Sequence, residues 1–395
     1  MLSDRVGRKR TMTYTILLYS ICTGLSAFAH SGWELAACRF LAALGVGGEW
    51  AVASTLVAEE FPQRARAWAQ SLFHASSTLG TYLAVAAGAL IVADPRVSLH
   101  LPLAGGAWEI SGWRLGFLLG ALPALLILLT RKHLREPEVW RQTAEASGHG
   151  AGRQPAAGAG RQAAGPTGAG RLRDLFSAHL VRRTLVGVGL AGVGLATVWG
   201  TAIYGKDVLR NACAEQYLAA LPDGADASAR AALLEARAPE LKRDEMLGMF
   251  LVTTGTGLGL LAFAPLAERL GRRGAMLLFL LGGLAAALVL FQCLTSVWAI
   301  ALFLPCFGFL TVGLHAGFAV YFPELFPTRL RGTGAGFCFN AGRILAAPAL
   351  FLAGWLQKDG GLSLAGSATL LSLLFPLGAL LLLFAPETRG RELPD

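Results

Sequence analysis

Charged side chains are scarce in this 395-residue chain, at 15% of its residues, where a soluble domain carries about 25%. That shortage excludes an ordinary water-soluble fold, and apolar residues take up the difference at 54%, with a mean hydropathy of +0.53. Catalytic signatures are missing as well. No His-Glu-x-x-His, nucleophile elbow, Cys-x-x-Cys or phosphate-binding loop occurs, which argues against an enzyme, rules out an ATP-driven pump and leaves no cofactor or metal site to expect. The six cysteines do not form a disulfide framework. Cys22, Cys38, Cys293, Cys306 and Cys338 fall in apolar stretches as small packing residues, and Cys213 stands alone in a polar one. Residues 1–10 read as a charged loop, so no cleavable signal peptide is expected.

What is present is hydrocarbon-loving. Leu17 to Phe28, Leu115 to Thr130, Ala275 to Leu290 and Leu370 to Phe384 are apolar runs of bilayer-spanning character once their flanks are included. The expectation is an all-α integral membrane protein with ten spans, near 11–29, 33–58, 67–92, 113–131, 184–205, 246–267, 275–293, 297–322, 332–356 and 364–385. Continuous rather than alternating apolar runs exclude a barrel. Placing residue 1 in the cytoplasm puts 23 of the 34 Lys and Arg residues in inside segments, so both termini are expected inside a plasma (inner) membrane. The formal charge of +9 is then a topology signal, with the lipid bilayer and not nucleic acid as partner. Gln142 to Gly170 is Gly-, Ala-, Arg-, Gln- and Pro-rich, and cannot bury enough apolar surface to fold. The domains expected are a bundle at 1–131, a cytoplasmic linker at 132–183 and a six-helix bundle at 184–395. The last carries an outside loop at 206–245 containing a helical piece, Ala225 to Ala236.

Two phrases occur twice in one register. Asp4-Arg5-Val6-Gly7-Arg8-Lys9 returns as Glu268-Arg269-Leu270-Gly271-Arg272-Arg273, and Glu59-Glu60-Phe61-Pro62 with Arg66 returns as Glu324-Leu325-Phe326-Pro327 with Arg331. The chain therefore holds two copies of one unit. Gly7 and Gly271 permit a tight turn between helix ends.

These loops, together with Arg39-Phe40-Leu41 leading to Gly45-Val46-Gly47-Gly48-Glu49, Glu136-Pro137-Glu138 and the tail Pro386-Glu387-Thr388-Arg389-Gly390-Arg391, resemble the major facilitator superfamily. The tail is similar to that of its sugar-porter-like branches. The resemblance implies twelve helices in two parallel six-helix halves around a midplane site. It also implies that Met1 begins inside the first motif, that two family helices lie upstream, and that the reading frame continues there. The acid of the acidic-Gly-basic motif would cap a helix of its own or the facing half in one transport conformation only. Conformational-switch candidates are thus Asp4, Arg5, Gly7, Arg8, Glu59, Arg66, Glu268, Arg269, Gly271, Arg272, Glu324 and Arg331.

A charge at the bilayer centre costs about 2.5–3.5 kcal/mol on insertion scales, so each one asks for a role. Arg39 and Glu49 share one span but lie too far apart to pair. The family counterpart of Arg39 is linked to proton coupling and faces an acid on the first family helix, so Arg39 is expected to be an orphan here. Glu49 is either a proton-carrying acid or a protonated packing residue. Asn340 and Arg343 share a helix face. The stretch from Gly332 to Arg343 is similar to that of organic-anion and aromatic-acid proton symporters, and Arg343 is read as a bidentate carboxylate ligand or a helix–helix anchor. His74 and His315 are proton relays or core histidines. Trp199 and Tyr204 line the cavity or mark the interface belt. The span from Thr184 to Tyr204 has no Gln or Asn, which demotes sugars. The reading is a secondary-active transporter that moves a small-molecule substrate, an organic acid with protons (symport), by alternating access. The alternatives are a sugar or other metabolite transporter, and a transport-incompetent relic or sensor.

Overall fold

The computed structural model describes residues 2–92, 97–103, 106–125, 127, 171–222 and 224–394. A short helix α1 (Leu2–Val6) turns at Gly7 into α2 (Arg8–Leu25), followed by α3 (Gly32–Glu60) and α4 (Gln63–Ala87). Next comes a hairpin of β1 (Ser98–Leu103) and β2 (Gly106–Ser111), then α5 (Gly112–Leu119). The second repeat holds α6 (Val181–Gly200), α7 (Gly205–Leu218), α8 (Ala227–Ala236), α9 (Ala238–Leu288), α10 (Val297–Val312) and α11 (Leu314–Leu325). It ends with α12 (Arg331–Lys358), α13 (Leu364–Ser372) and α14 (Leu374–Leu381).

Among the described residues eight helical segments are long and apolar enough to cross a membrane, where ten spans were expected. One of them, Ala238–Cys293, contains two of the expected spans. Its regular geometry breaks at Gly271, with φ 80° and ψ 166°. Gly7 has the matching values of 108° and 159°, so both copies of the motif turn on a residue in a region that side chains avoid. The expected span 113–131 is helical over Gly112–Leu119 and forms a 3-10 turn over Leu122–Leu125, and its residues 126 and 128–131 lie outside the described residues. So do Gln142 to Gly170 and Glu136-Pro137-Glu138.

Local sequence accounts for several helix starts. The Ser31 hydroxyl accepts from the Glu34 N–H at 3.2 Å while the Glu34 carboxylate accepts from the His30 N–H at 2.8 Å, a reciprocal cap for α3. Asp226 caps α8 through the Ala229 N–H at 2.8 Å. Two features depart from the sequence reading. The hairpin pairs Ser98 with Ser111 and Leu103 with Gly106, which adds a strand pair to a chain read as all-α. The 206–245 loop is helical along most of its length rather than only at 225–236, since α7, α8 and the start of α9 occupy it. Lys206 pins it by donating to Asp207 and Glu245, both at 2.8 Å.

The apolar core is concentrated in the second repeat, where Phe263, Phe279, Phe318, Phe322 and Phe326 are fully buried. Elsewhere the helices turn large apolar side chains outward, such as Leu83 on α4 and Phe351 on α12. A multi-pass membrane protein presents such faces to lipid.

Candidate substrate cavity and gate

At the motif end of the molecule the two repeats build the same ion cluster. Arg8, fully buried, forks onto Glu59 with Nε–Oε2 at 3.1 Å and Nη2–Oε1 at 2.8 Å, and its Nη1 reaches Asp4 and the Ser3 carbonyl, both at 2.8 Å. Arg272 repeats this on Glu324 at 3.4 and 3.2 Å, on Glu268 at 3.1 Å and on the Ala267 carbonyl at 3.3 Å. The planar fork suits a carboxylate, which a lysine would meet only as a point charge.

The clusters are joined crosswise. Arg331 of the second repeat donates to Glu59 of the first at 3.2 Å. Asp4 accepts from both the N–H and the hydroxyl of Thr333, capping α12 of the facing repeat. The mirror contact is looser: Arg66 bonds the Ala58 carbonyl at 3.0 Å and acts on Glu324 only electrostatically. Arg269 is exposed and lends its carbonyl to Arg389 at 3.1 Å. The Arg5 side chain lies outside the described residues.

The tail completes the cluster, a role that was not legible in its Pro-Glu-Thr sequence. Glu387 accepts from the N–H groups of Arg272 and Arg273 at 2.9 and 3.1 Å, at the start of the helix that follows Gly271. Burial works to raise the Glu387 pKa, but the N–H groups of Arg272, Arg389, Arg273 and Thr388 outweigh it and hold the carboxyl below its ordinary value. The Thr388 hydroxyl donates to Glu324 at 2.6 Å, Tyr321 to the Pro386 carbonyl at 2.7 Å, and Arg331 to the Pro394 carbonyl at 2.8 Å.

Further into the molecule a second layer forms. Trp50 on α3, His74 on α4, His315 on α11 and Asn340 and Arg343 on α12 each lie about 10 residues from the motif end, roughly 15 Å of helix rise. Half of a hydrocarbon core about 30 Å thick is the same depth. Trp50 stacks on Phe339 at 3.9 Å and donates to His74 Nδ1 at 3.4 Å. His74 stacks on His315 at 6.4 Å. Arg343, half-buried, lies over the Phe339 ring at 4.8 Å and has no hydrogen-bond or ion-pair partner among the described residues. Asn340 clasps two helices by donating to the carbonyls of Gly47 at 3.2 Å and Gly336 at 2.9 Å. A Cβ on Gly47 would meet Asn340 Oδ1 at 2.5 Å, so this approach of α3 to α12 needs a glycine.

The remaining candidates sit apart. Arg39 lies about 21 residues from the motif end of α3, roughly 30 Å away, exposed and over the Phe117 ring at 5.5 Å. It has no acid partner among the described residues. Glu49, half-buried, lies by Tyr19 and has no cation partner among the described residues. Trp199 lines a cleft of about 330 Å³ with Thr81, Val252, Thr253 and Val312, toward the end opposite the motifs. Tyr204 packs among apolar residues instead. A larger groove of about 720 Å³ is walled by Gly, Ala, Val, Leu and Pro, with no side chain to hold a polar solute. Trp50 and Phe339 escaped the sequence reading, because aromatic residues inside apolar runs carry no local signal of stacking.

The profile of the major facilitator superfamily matches residues 1–208, and that of the sugar (and other) transporters matches residues 241–395. The chain belongs to the major facilitator superfamily. A probable 4-methylmuconolactone transporter of Cupriavidus pinatubonensis is 27% identical over 99% of this chain and 78% of its own length. A cis,cis-muconate transport protein of Acinetobacter baylyi is 26% identical over 97% and 80%. Among solved structures, a proton:xylose symporter of the superfamily shares the fold with a TM-score of 0.63 at 17% identity, over 99% of this chain and 83% of its own. This superfamily member is a membrane transporter of a small organic solute and not an enzyme.

Proposed function

We propose that the solute is an organic acid, carried together with protons, and that Arg343 holds its negative charge. The observation that carries this reading is the half-buried guanidinium at mid-membrane depth without a carboxylate partner among the described residues. A charge there is costly alone, and an incoming carboxylate supplies the bidentate partner that no described side chain supplies. Phe339 and Trp50 offer a flat apolar wall beside it. The muconate and methylmuconolactone transporters among the relatives support this class of solute.

Alternating access follows from the crosswise clusters. The structure is closed at the motif end by Asp4–Thr333 and Glu59–Arg331, contacts that must part for the solute to leave there. In this reading that end is cytoplasmic, because Lys and Arg concentrate in its loops. The helices form two bundles, 1–131 and 184–395, joined by 132–183, with ten spans in an inner membrane.

The test is ligand-induced thermal stabilisation of the purified protein with cis,cis-muconate and with xylose. Muconate is expected to stabilise it and xylose not. Arg343→Ala abolishes the muconate shift, and Arg343→Lys weakens it while folding survives. Stabilisation by xylose alone, or an Arg343→Ala variant that still binds muconate, overturns the assignment.

A further inference from the structure

We propose that His74 and His315 together form one proton-binding site shared by the two repeats, loaded in concert with the anion at Arg343. This rests on the organic-acid reading above and names the groups that carry its proton.

The geometry is specific. His74 rises from α4 of the first repeat and His315 from α11 of the second, and their rings stack at 6.4 Å with planes 20° apart. Trp50 Nε1 has only a proton to give, so its contact to His74 Nδ1 assigns that nitrogen as an acceptor and places the ring's own proton on Nε2. His315 is 6% exposed, and neither of its nitrogens makes a hydrogen bond of good geometry among the described residues, although the Val312 carbonyl acts on it. A buried imidazole left this way carries an unmet polar cost. Its walls are apolar, with Phe318 at 5.1 Å, and Phe73 lies 6.4 Å from His74.

Of the helices packed on the pair, α12 brings Arg343, the charged group that acts on His315, and α3 brings Trp50. Glu49 on α3 lies by Tyr19 instead. No group of α6, α9 or α10 among the described residues acts electrostatically on either ring.

Charge arithmetic then links the two ligands. A proton taken from solvent onto the one unprotonated nitrogen of either ring, Nδ1 in the case of His74, places a second cation beside Arg343 in a buried layer. On His74 Nδ1 it would also oppose the Trp50 N–H. A carboxylate seated on Arg343 cancels one cation, so the anion favours the proton and, by reciprocity, the proton favours the anion. Because the two rings belong to different repeats, a charged pair also alters the contact between repeats. The proton leaves to solvent when the carboxylate does.

The test is calorimetric titration of the full chain in nanodiscs with cis,cis-muconate, in buffers of different ionisation enthalpy. It runs from about pH 6 to about pH 8, the range over which an imidazole titrates. Wild type is expected to take up about one proton per muconate bound, with affinity weakening as pH rises toward a limit of about tenfold per pH unit. His315→Asn and His74→Asn are expected to bind muconate with no proton uptake and no pH dependence. Wild-type binding without proton uptake overturns the proposal, as does uptake that persists in both variants. Folded variants that no longer bind muconate overturn it too, since the rings would then belong to the solute site. If wild type binds no acid at all, it is the organic-acid reading that fails.

Discussion

Arg331 is the side chain whose loss isolates the contact between repeats. Its described bonds go to Glu59 at 3.2 Å and to the Pro394 carbonyl at 2.8 Å, and none goes to the acids of its own repeat. In Arg331→Gln both charge-assisted bonds go. Each is worth about 1.5–3 kcal/mol in general, with the longer one at the low end and part regained by the glutamine amide. Glu59 keeps the fork of Arg8, so the penalty of about 3–5 kcal/mol for a stranded buried charge does not apply. Of the two, the Pro394 bond lies within one repeat and is lost in both states, whereas in the proposed alternating-access reading the Glu59 bond, worth about 1.5 kcal/mol at the low end of that range, is lost from the closed state alone. That corresponds to roughly a tenfold shift toward the state open at the motif end. Spin labels on Glu60→Cys and Arg329→Cys, both exposed and on opposite repeats, report the distance between repeats by pulsed electron resonance. The open population is expected to rise in Arg331→Gln. Arg272→Gln, which breaks bonds within one repeat, should lower thermal stability without widening that end. An unchanged distance in Arg331→Gln, or equal opening in Arg272→Gln, refutes the reasoning.

Gly47→Ala is expected to cost about 1–3 kcal/mol of stability and to weaken muconate binding, since its Cβ meets Asn340 and approaches Arg343 at 3.5 Å. Gly80→Ala, where nothing lies within 4 Å, should instead gain up to about 1 kcal/mol from helix propensity; thermal melts of the two compare them directly. The depressed pKa of Glu387 makes tail docking dependent on pH. Its contribution is fully present above the unfolded value of about 4.3 and is lost as pH falls through the lower folded value. Hydrogen exchange of the amides of Arg272 and Arg273 should therefore lose protection only in that acid window, and loss already at neutral pH counts against the cap. Cysteine labels at Ala227 and at Arg329 should be reached from opposite sides of the membrane, and labelling of both from outside sinks the proposed orientation.

The chain's chemistry near each residue was legible from sequence alone. Apolar runs gave the membrane class, because burial in hydrocarbon leaves a backbone only a helix or a closed barrel, and unbroken runs do not suit the barrel. The doubled loops gave the repeat, because the tight turn needs glycine at position 7 and again at 271, and their φ values of 108° and 80° bear that out. What the sequence left open was which copy each charge serves. Asp4 reaches 329 residues along the chain to Thr333, and Glu59 reaches 272 to Arg331. A carboxylate's partner at such separation is set by how the helices pack, and no local pattern records it. The same holds at mid-membrane depth. Arg343 and Asn340 share a face in the sequence, yet packing ties Asn340 to Gly47 and leaves Arg343 over Phe339. His74 and His315 each read as a solitary ring in an apolar span, and only the approach of α4 to α11 makes them a pair.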